Sequence, residues 1–400
     1  MIRNLLSRIL APRHPWRRLS FTELSEMYLS TFLRVLAMGM IGIFLPIYLY
    51  QNGYSLTVIL AYYTLFYVFG LPLDYFVARL VAHFGPKHIM RNSFLAQGIF
   101  SLMVINIHHL PLPIPMIAFV ASLASTMYFI PYNTSFSKVK HSEHSGKEVS
   151  FMHIIERVGG VIGPIVGGAI ATFAMPTLAF GVAAVAMFTA SIVLMMSPEP
   201  VRTKQQLKFK GLKMKQHWRD YIAVGALCGE NAISILMWPV FLSIVVFQSS
   251  PYLKLGFVSS ASVLIAIIVA LPLGRLLDRQ KGKAMIRYGT FVNALVSVMR
   301  IGVSNLFGSL LVAVVNEPNT LVYRIAFIKG YYDNADDYPG YRIAYLAANE
   351  MVADCFRAFS FAFLMILSLF LTPYAVCSIA FLLAAAYSFL IRLERFPALK

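Results

Sequence analysis

The residues best placed to do chemistry in this chain are the charged side chains that interrupt long apolar stretches. Arg34, Glu230 and Glu317 each lie in such a stretch, where an ionised group is costly unless it is paired or faces a wet cavity. Arg34 and Glu230 sit about twelve residues inside their segments, roughly 18 Å at helical rise, which places both near a membrane midplane. A carboxyl at that depth can load and release a proton as its surroundings change. Glu230 and Glu317 are the candidate proton-titrating or substrate-facing acids. Arg34 is suited to an anionic group on a solute or to partnering one of these acids. A static buried ion pair would also account for such residues.

A second set of charges falls at helical spacing. Glu350, Asp354 and Arg357 occupy positions i, i+4 and i+7 and so share one face, and Asp74, an acid inside another apolar stretch, is a candidate to extend their network. Glu156 and Arg157 are adjacent and cannot face one another on a helix, so each is expected to find a partner elsewhere. Arg300 lies close to the outer end of its segment and is expected to snorkel to the interface. Trp238, Tyr48, Tyr62, Tyr63 and Tyr128 are read as anchoring or packing aromatics, with stacking on a cationic or aromatic solute as the alternative.

Enzymatic chemistry has little to stand on. The sequence holds no metal-ligand spacing, phosphate-cradling glycine loop or nucleophile elbow, so no cofactor or metal is expected. A membrane-embedded lipid-modifying enzyme is therefore disfavoured, and a primary pump would need a separate ATP-binding subunit. Cys228, Cys355 and Cys377 lie in apolar stretches without disulfide or metal spacing.

The elements that must position these charges are membrane helices. Of 400 residues, 58% are hydrophobic and 13% charged, with a mean hydropathy of +0.70. Soluble domains carry about twice that charged fraction. Twelve apolar spans can be drawn between 22 and 392, several interrupted by Gly, Pro or a charge, as in bundles around a polar path. Lys and Arg concentrate in alternate connections, which puts both termini in the cytoplasm. The net charge of +17 then reports topology rather than nucleic-acid binding. Residues 1–21 form a basic segment, read either as an interfacial amphipathic helix or as a topology-setting tail. The expected organisation is a six-helix bundle over 22–197, a lysine-rich linker over 198–218, a second six-helix bundle over 219–392 and a tail over 393–400.

The two bundles share landmarks in the same order. Phe44-Leu45-Pro46-Ile47 matches Phe241-Leu242-Ser243-Ile244, Leu71-Pro72-Leu73 matches Leu271-Pro272-Leu273, and Glu156 matches Glu350 in depth. The loop after span eight carries Gly274, Asp278, Arg279 and Gly282. The equivalent loop of the first half keeps Gly85 and Lys87 without an Asp-Arg pair. Span five carries Gly159, Gly163, Pro164, Gly167 and Gly168, whose small residues let a neighbouring helix approach closely.

With these motifs the whole chain resembles the major facilitator superfamily. The resemblance implies an all-α polytopic membrane protein of twelve transmembrane helices in two pseudo-symmetric bundles, with spans one, four, seven and ten lining a central path, which makes Glu317 of span ten and Asn133 of span four candidates to face it. It implies a monomeric secondary transporter of a small molecule in the cytoplasmic membrane, in contact with lipid and coupled to protons. The span-five motif resembles that of the superfamily's antiporters and tilts the expectation to efflux. A lipid or lysolipid translocator on the same fold is the alternative. The resemblance also makes Asp278 and its loop a gating signature, in which a carboxylate holds a basic residue of a neighbouring helix in one access state.

Overall fold

The computed structural model describes residues 21–107, 113–139, 145–196, 207, 217–247, 249–277, 282–336 and 342–396. Among these residues every regular element is helical. The long helices are α1 (Phe21–Ile41), α2 (Leu56–Phe84), α3 (Pro86–Ile105), α4 (Ile114–Val139), α5 (Ser145–Phe173), α6 (Pro176–Val193), α7 (Trp218–Phe241), α8 (Pro251–Leu277), α9 (Gly282–Met299), α10 (Leu306–Asp336), α11 (Arg342–Leu367) and α12 (Pro373–Leu390). Among the described residues, eight helices are long and apolar enough to cross a membrane by length and composition. The other four, α3, α9, α10 and α11, are more polar, and two of them carry the acids Glu317, Glu350 and Asp354.

Local sequence explains where helices start. Proline occupies the first turn of α3, α6 and α12, where its missing N–H would have been unsatisfied anyway. Ser55 and Thr372 cap α2 and α12 by accepting from the backbone N–H groups of Val58 and Ala375, each at 3.4 Å. Gly85 joins α2 to α3 at φ +91°, a backbone region that favours glycine.

The repeated landmark has a structural counterpart. The first span breaks after Ile41 and resumes as a short helix, Leu45–Gln51, containing Pro46. The seventh passes Pro239 and continues as a π-helical turn, Leu242–Val246. Both segments thus lose regular α geometry just beyond the depth of Arg34 and Glu230, and such irregularities are frequent at functional sites.

Helices α1–α6 pack among themselves, as do α7–α12, and the halves meet chiefly along α2 against α11 and α5 against α8. In lipid the hydrophobic effect does not hold helices together, so close packing of small residues must. Span five shows this on two faces. A Cβ at Gly163 would lie 2.7 Å from the Leu36 carbonyl of α1, and one at Gly167 would lie 2.6 Å from the Met40 Cα. Gly159 faces Val35, and Gly39 packs on Pro164. Gly168 instead faces α8, where a Cβ would meet the Tyr252 carbonyl at 2.6 Å. The Ser260 hydroxyl donates to the Val161 carbonyl across this second seam at 2.6 Å. Along the other seam, Ser368 donates to the Thr57 hydroxyl at 2.9 Å, and Ala347 joins Val77 and Ala78 in an apolar cluster.

Large apolar side chains such as Val185, Ile192, Ile268 and Phe359 project outward and are exposed, a surface suited to lipid. Beyond α12 the chain makes a tight turn, Ile391–Leu393, and docks on the second half. The Arg395 N–H donates to Asp220 Oδ1 at 2.6 Å, the Arg392 guanidinium donates to Thr290 at 2.9 Å, and Phe396 is buried with its ring 5.1 Å from Phe327. Burial raises the Glu394 carboxyl above its ordinary range. Residues 391–396 at this end are therefore packed structure.

Candidate functional site

Two cavities lie at the centre of the bundle and touch one another at Ile43, Asn231 and Ile235. The first encloses about 330 Å³ and is lined mainly by α7, α8 and α10. Glu230 is on its wall, 3% exposed, and accepts from the hydroxyls of Ser234 at 2.8 Å and Tyr323 at 3.3 Å. Glu317 accepts from the Asn316 amide at 3.3 Å.

Arg300 links the two acids. One guanidinium nitrogen donates to Ser234 Oγ at 2.7 Å, and another donates to Asn316 Oδ1 at 3.3 Å. The group also lies 5.4 Å from the Trp238 ring centre and 5.9 Å from that of Phe381. The expectation that Arg300 snorkels outward is thus corrected: it is 4% exposed. It begins the 3-10 turn Arg300–Gly302 at the end of α9, and its side chain enters the bundle, where two acids and two aromatic faces offset part of its desolvation. The sequence did hold a signal for this. Outer connections are nearly free of Lys and Arg, so a lone arginine at that end calls for an internal partner.

The second cavity, about 380 Å³, lies between the halves and is bounded by α1, α2, α3, α4, α7 and α11. Arg34 lines it with its guanidinium carbon 3.2 Å above the Tyr128 ring centre and 5.7 Å from that of Phe129. Across the cavity Arg357 donates to Asp354 at 2.7 Å and to Glu350 at 3.5 Å. The Asp354 carboxylate lies directly over Gly70 of α2, where a Cβ would displace it. Asp74 of α2 is 3% exposed and belongs to the same cavity.

The structure therefore brings Asp74, Glu350, Asp354 and Arg357 together at the α2–α11 seam and gathers Glu230 and Glu317 around Arg300. Arg34 and Glu230 occupy different cavities and form no ion pair. Glu156 accepts from the Tyr132 hydroxyl at 2.7 Å within the first half, and Arg157 is exposed. Lys87 pairs with Glu26 of α1 at 3.4 Å, a bond between elements of one half. Gly274 lies within α8 and Gly282 begins α9. Asp278, Arg279 and the side chain of Asn133 lie outside the described residues. No group of three metal-ligating side chains occurs among the described residues.

Two helical halves enclosing a polar, charge-lined centre define a membrane carrier. The family model of the Major Facilitator Superfamily matches residues 27–328, and the chain belongs to that superfamily of secondary transporters. Among solved structures it is similar to the nucleoside transporter NupG, with 13% identity, a TM-score of 0.66, and coverage of 92% of this chain and 97% of that one. An aspartate-to-alanine variant of NupG matches at 14% identity and a TM-score of 0.66, covering 92% and 98%. At these identities the likeness concerns the fold. A comparison with curated protein sequences gives no match.

Proposed function

We propose that the protein moves its small solute by alternating access across the cytoplasmic membrane, with both termini in the cytoplasm and in exchange for protons. The observation that supports this reading best is the Glu230–Ser234–Arg300–Asn316–Glu317 chain. Neither acid touches the arginine directly. Each is held to it through a neutral side chain, so a small movement of α7 against α10 changes how strongly the cation favours the ionised carboxyl. The Glu230–Glu317 chain lies wholly in the second half, so proton loading couples to a bend of α7 or α10 that accompanies the rocking of the halves. Asn133, where α4 borders the central path, is assigned to solute contact, and the glycine face of α5 supports the export direction. The loop of Gly274, Asp278, Arg279 and Gly282, with Gly85 and Lys87 in the other half, is assigned to gating on the cytoplasmic side.

The test is proton flux in proteoliposomes containing a pH-sensitive dye. Glu230→Gln and Glu317→Gln should each abolish solute-evoked flux while the protein remains folded and monodisperse. Flux that persists unchanged in both variants overturns the proposal.

A further inference from the structure

The second cavity has a cation without an acid on one wall and three acids that share one cation on the other. Arg34, on the α1–α4 wall, has no carboxylate within ion-pair distance among the described residues, and its guanidinium lies face-on against Tyr128. Tyr128 in turn stacks on Tyr132 at 5.3 Å, which holds the cation to that wall. Asp74, on the α2–α11 wall, shares Arg357 as its nearest cation with Asp354 and Glu350, and its Oδ2 is buried with no hydrogen-bond partner among the described residues. Arg357, the cation nearest to that wall's acids, is already engaged by Asp354 and Glu350.

A surplus of acid on one wall and a guanidinium without a carboxylate on the other are each costly in a buried cavity. A ligand that carries both signs removes the cost at both walls together. A simple cation would satisfy Asp74 but be opposed by Arg34, and a simple anion would meet the reverse arrangement. The α2 face above Asp74 is aromatic, with Tyr62, Tyr63, Phe66 and Tyr67, and Phe100 of α3 joins it in the lining, which suits an apolar body and favours a cationic group near the rings. Pockets of this volume accommodate small organic ligands.

We infer that this cavity binds a zwitterion, with its ammonium group at Asp74, its carboxylate at Arg34 and an apolar body against the tyrosines. The inference deepens the transport reading by naming the class of solute, and it rests on that reading only for the claim that the bound molecule is moved.

The experiment measures Kd on the purified full-length protein in detergent, using two matched series of probes. The first is L-phenylalanine, 2-phenylethylamine and 3-phenylpropanoate, and the second is 6-aminohexanoate, hexylamine and hexanoate, which sets the charges further apart. In at least one series the zwitterion should bind at least about tenfold more tightly than both relatives, the worth of one added charge-assisted contact. Arg34→Gln should reduce the zwitterion to the affinity of the amine, and Asp74→Asn should reduce it to that of the carboxylate. Arg34→Lys, which keeps the charge, should retain the preference and serves as the folding control. A one-charge relative that binds as well as its zwitterion, or failure of both zwitterions to bind, overturns the inference. So does an affinity that neither neutral variant changes. Zwitterion binding without uptake into proteoliposomes would refute transport and leave the site standing, whereas uptake of uncharged solutes alone would do the opposite.

Discussion

Gly168→Ala should shift the balance between access states, whereas Gly163→Ala should not. Both glycines lie on α5, but Gly168 faces α8 of the other half and Gly163 faces α1 of its own half. A Cβ at Gly168 would sit 2.6 Å from the Tyr252 carbonyl oxygen and 3.4 Å from the Gly256 Cα. The first distance is about 0.8 Å short of ordinary contact, and the obstacle is backbone rather than a movable side chain. Overpacking of this kind costs roughly 1–3 kcal/mol, charged only to the state in which α5 and α8 touch. The gain in helix propensity of about 1 kcal/mol from glycine to alanine applies to both states and cancels. The closed seam should therefore lose about 5- to 150-fold in population against its alternative. The reporter is the thiol of Ser260→Cys, placed at a seam position that is 2% exposed, in a background lacking Cys228, Cys355 and Cys377. Maleimide labelling should accelerate by that factor with Gly168→Ala. With Gly163→Ala the labelling rate should hold while the melting temperature falls. Equal labelling in both variants, or no acceleration with Gly168→Ala, would refute the assignment of the two faces.

Other consequences can be checked in parallel. Arg300→Met should lower transport at least about tenfold, and Arg300→Lys should not restore it, because a point charge cannot serve Ser234 and Asn316 together; initial rates in proteoliposomes decide this. Asp220→Ala removes the acceptor of the Arg395 N–H and should weaken docking of the chain's end by about 1.5–3 kcal/mol, read as faster carboxypeptidase trimming past Phe396. Glu394 has a folded pKa raised by burial, so the folded state binds more protons than the unfolded one between the ordinary carboxylate range and that raised value. Its contribution is present at low pH and lost as pH rises through that window, and Glu394→Gln should abolish that part of the pH dependence of trimming.

The architecture was largely legible because membrane helices announce themselves by length, hydropathy and alternating loop charge. The Phe-Leu-x-Ile landmark also marked where spans one and seven lose regular helix. The α2–α11 charges were legible because i, i+4 and i+7 put Glu350, Asp354 and Arg357 on one face, and the superfamily resemblance, in which these spans form the contact between halves, suggested Asp74 as their neighbour. Spacing could not show which helix face each charge turns to, and so it could not distinguish an Arg34–Glu230 pair from residues in separate cavities. Arg300 escaped because its position near a helix end permits snorkelling, while the direction of its side chain is set by the 3-10 turn. The docked end at Arg395 and Phe396 escaped for a related reason. Its contacts span some 175 residues of sequence and involve a backbone N–H, which carries no sequence signature.

The account stands on one measurement above the rest. The full-length protein, reconstituted with a pH-sensitive dye inside the vesicles, is challenged with the two zwitterion probes at zero pH gradient and then under gradients of either sign. The account predicts that an added solute moves protons across the membrane and that reversing the imposed gradient reverses net solute movement. Solute uptake that leaves the internal pH unchanged and ignores the gradient would contradict it.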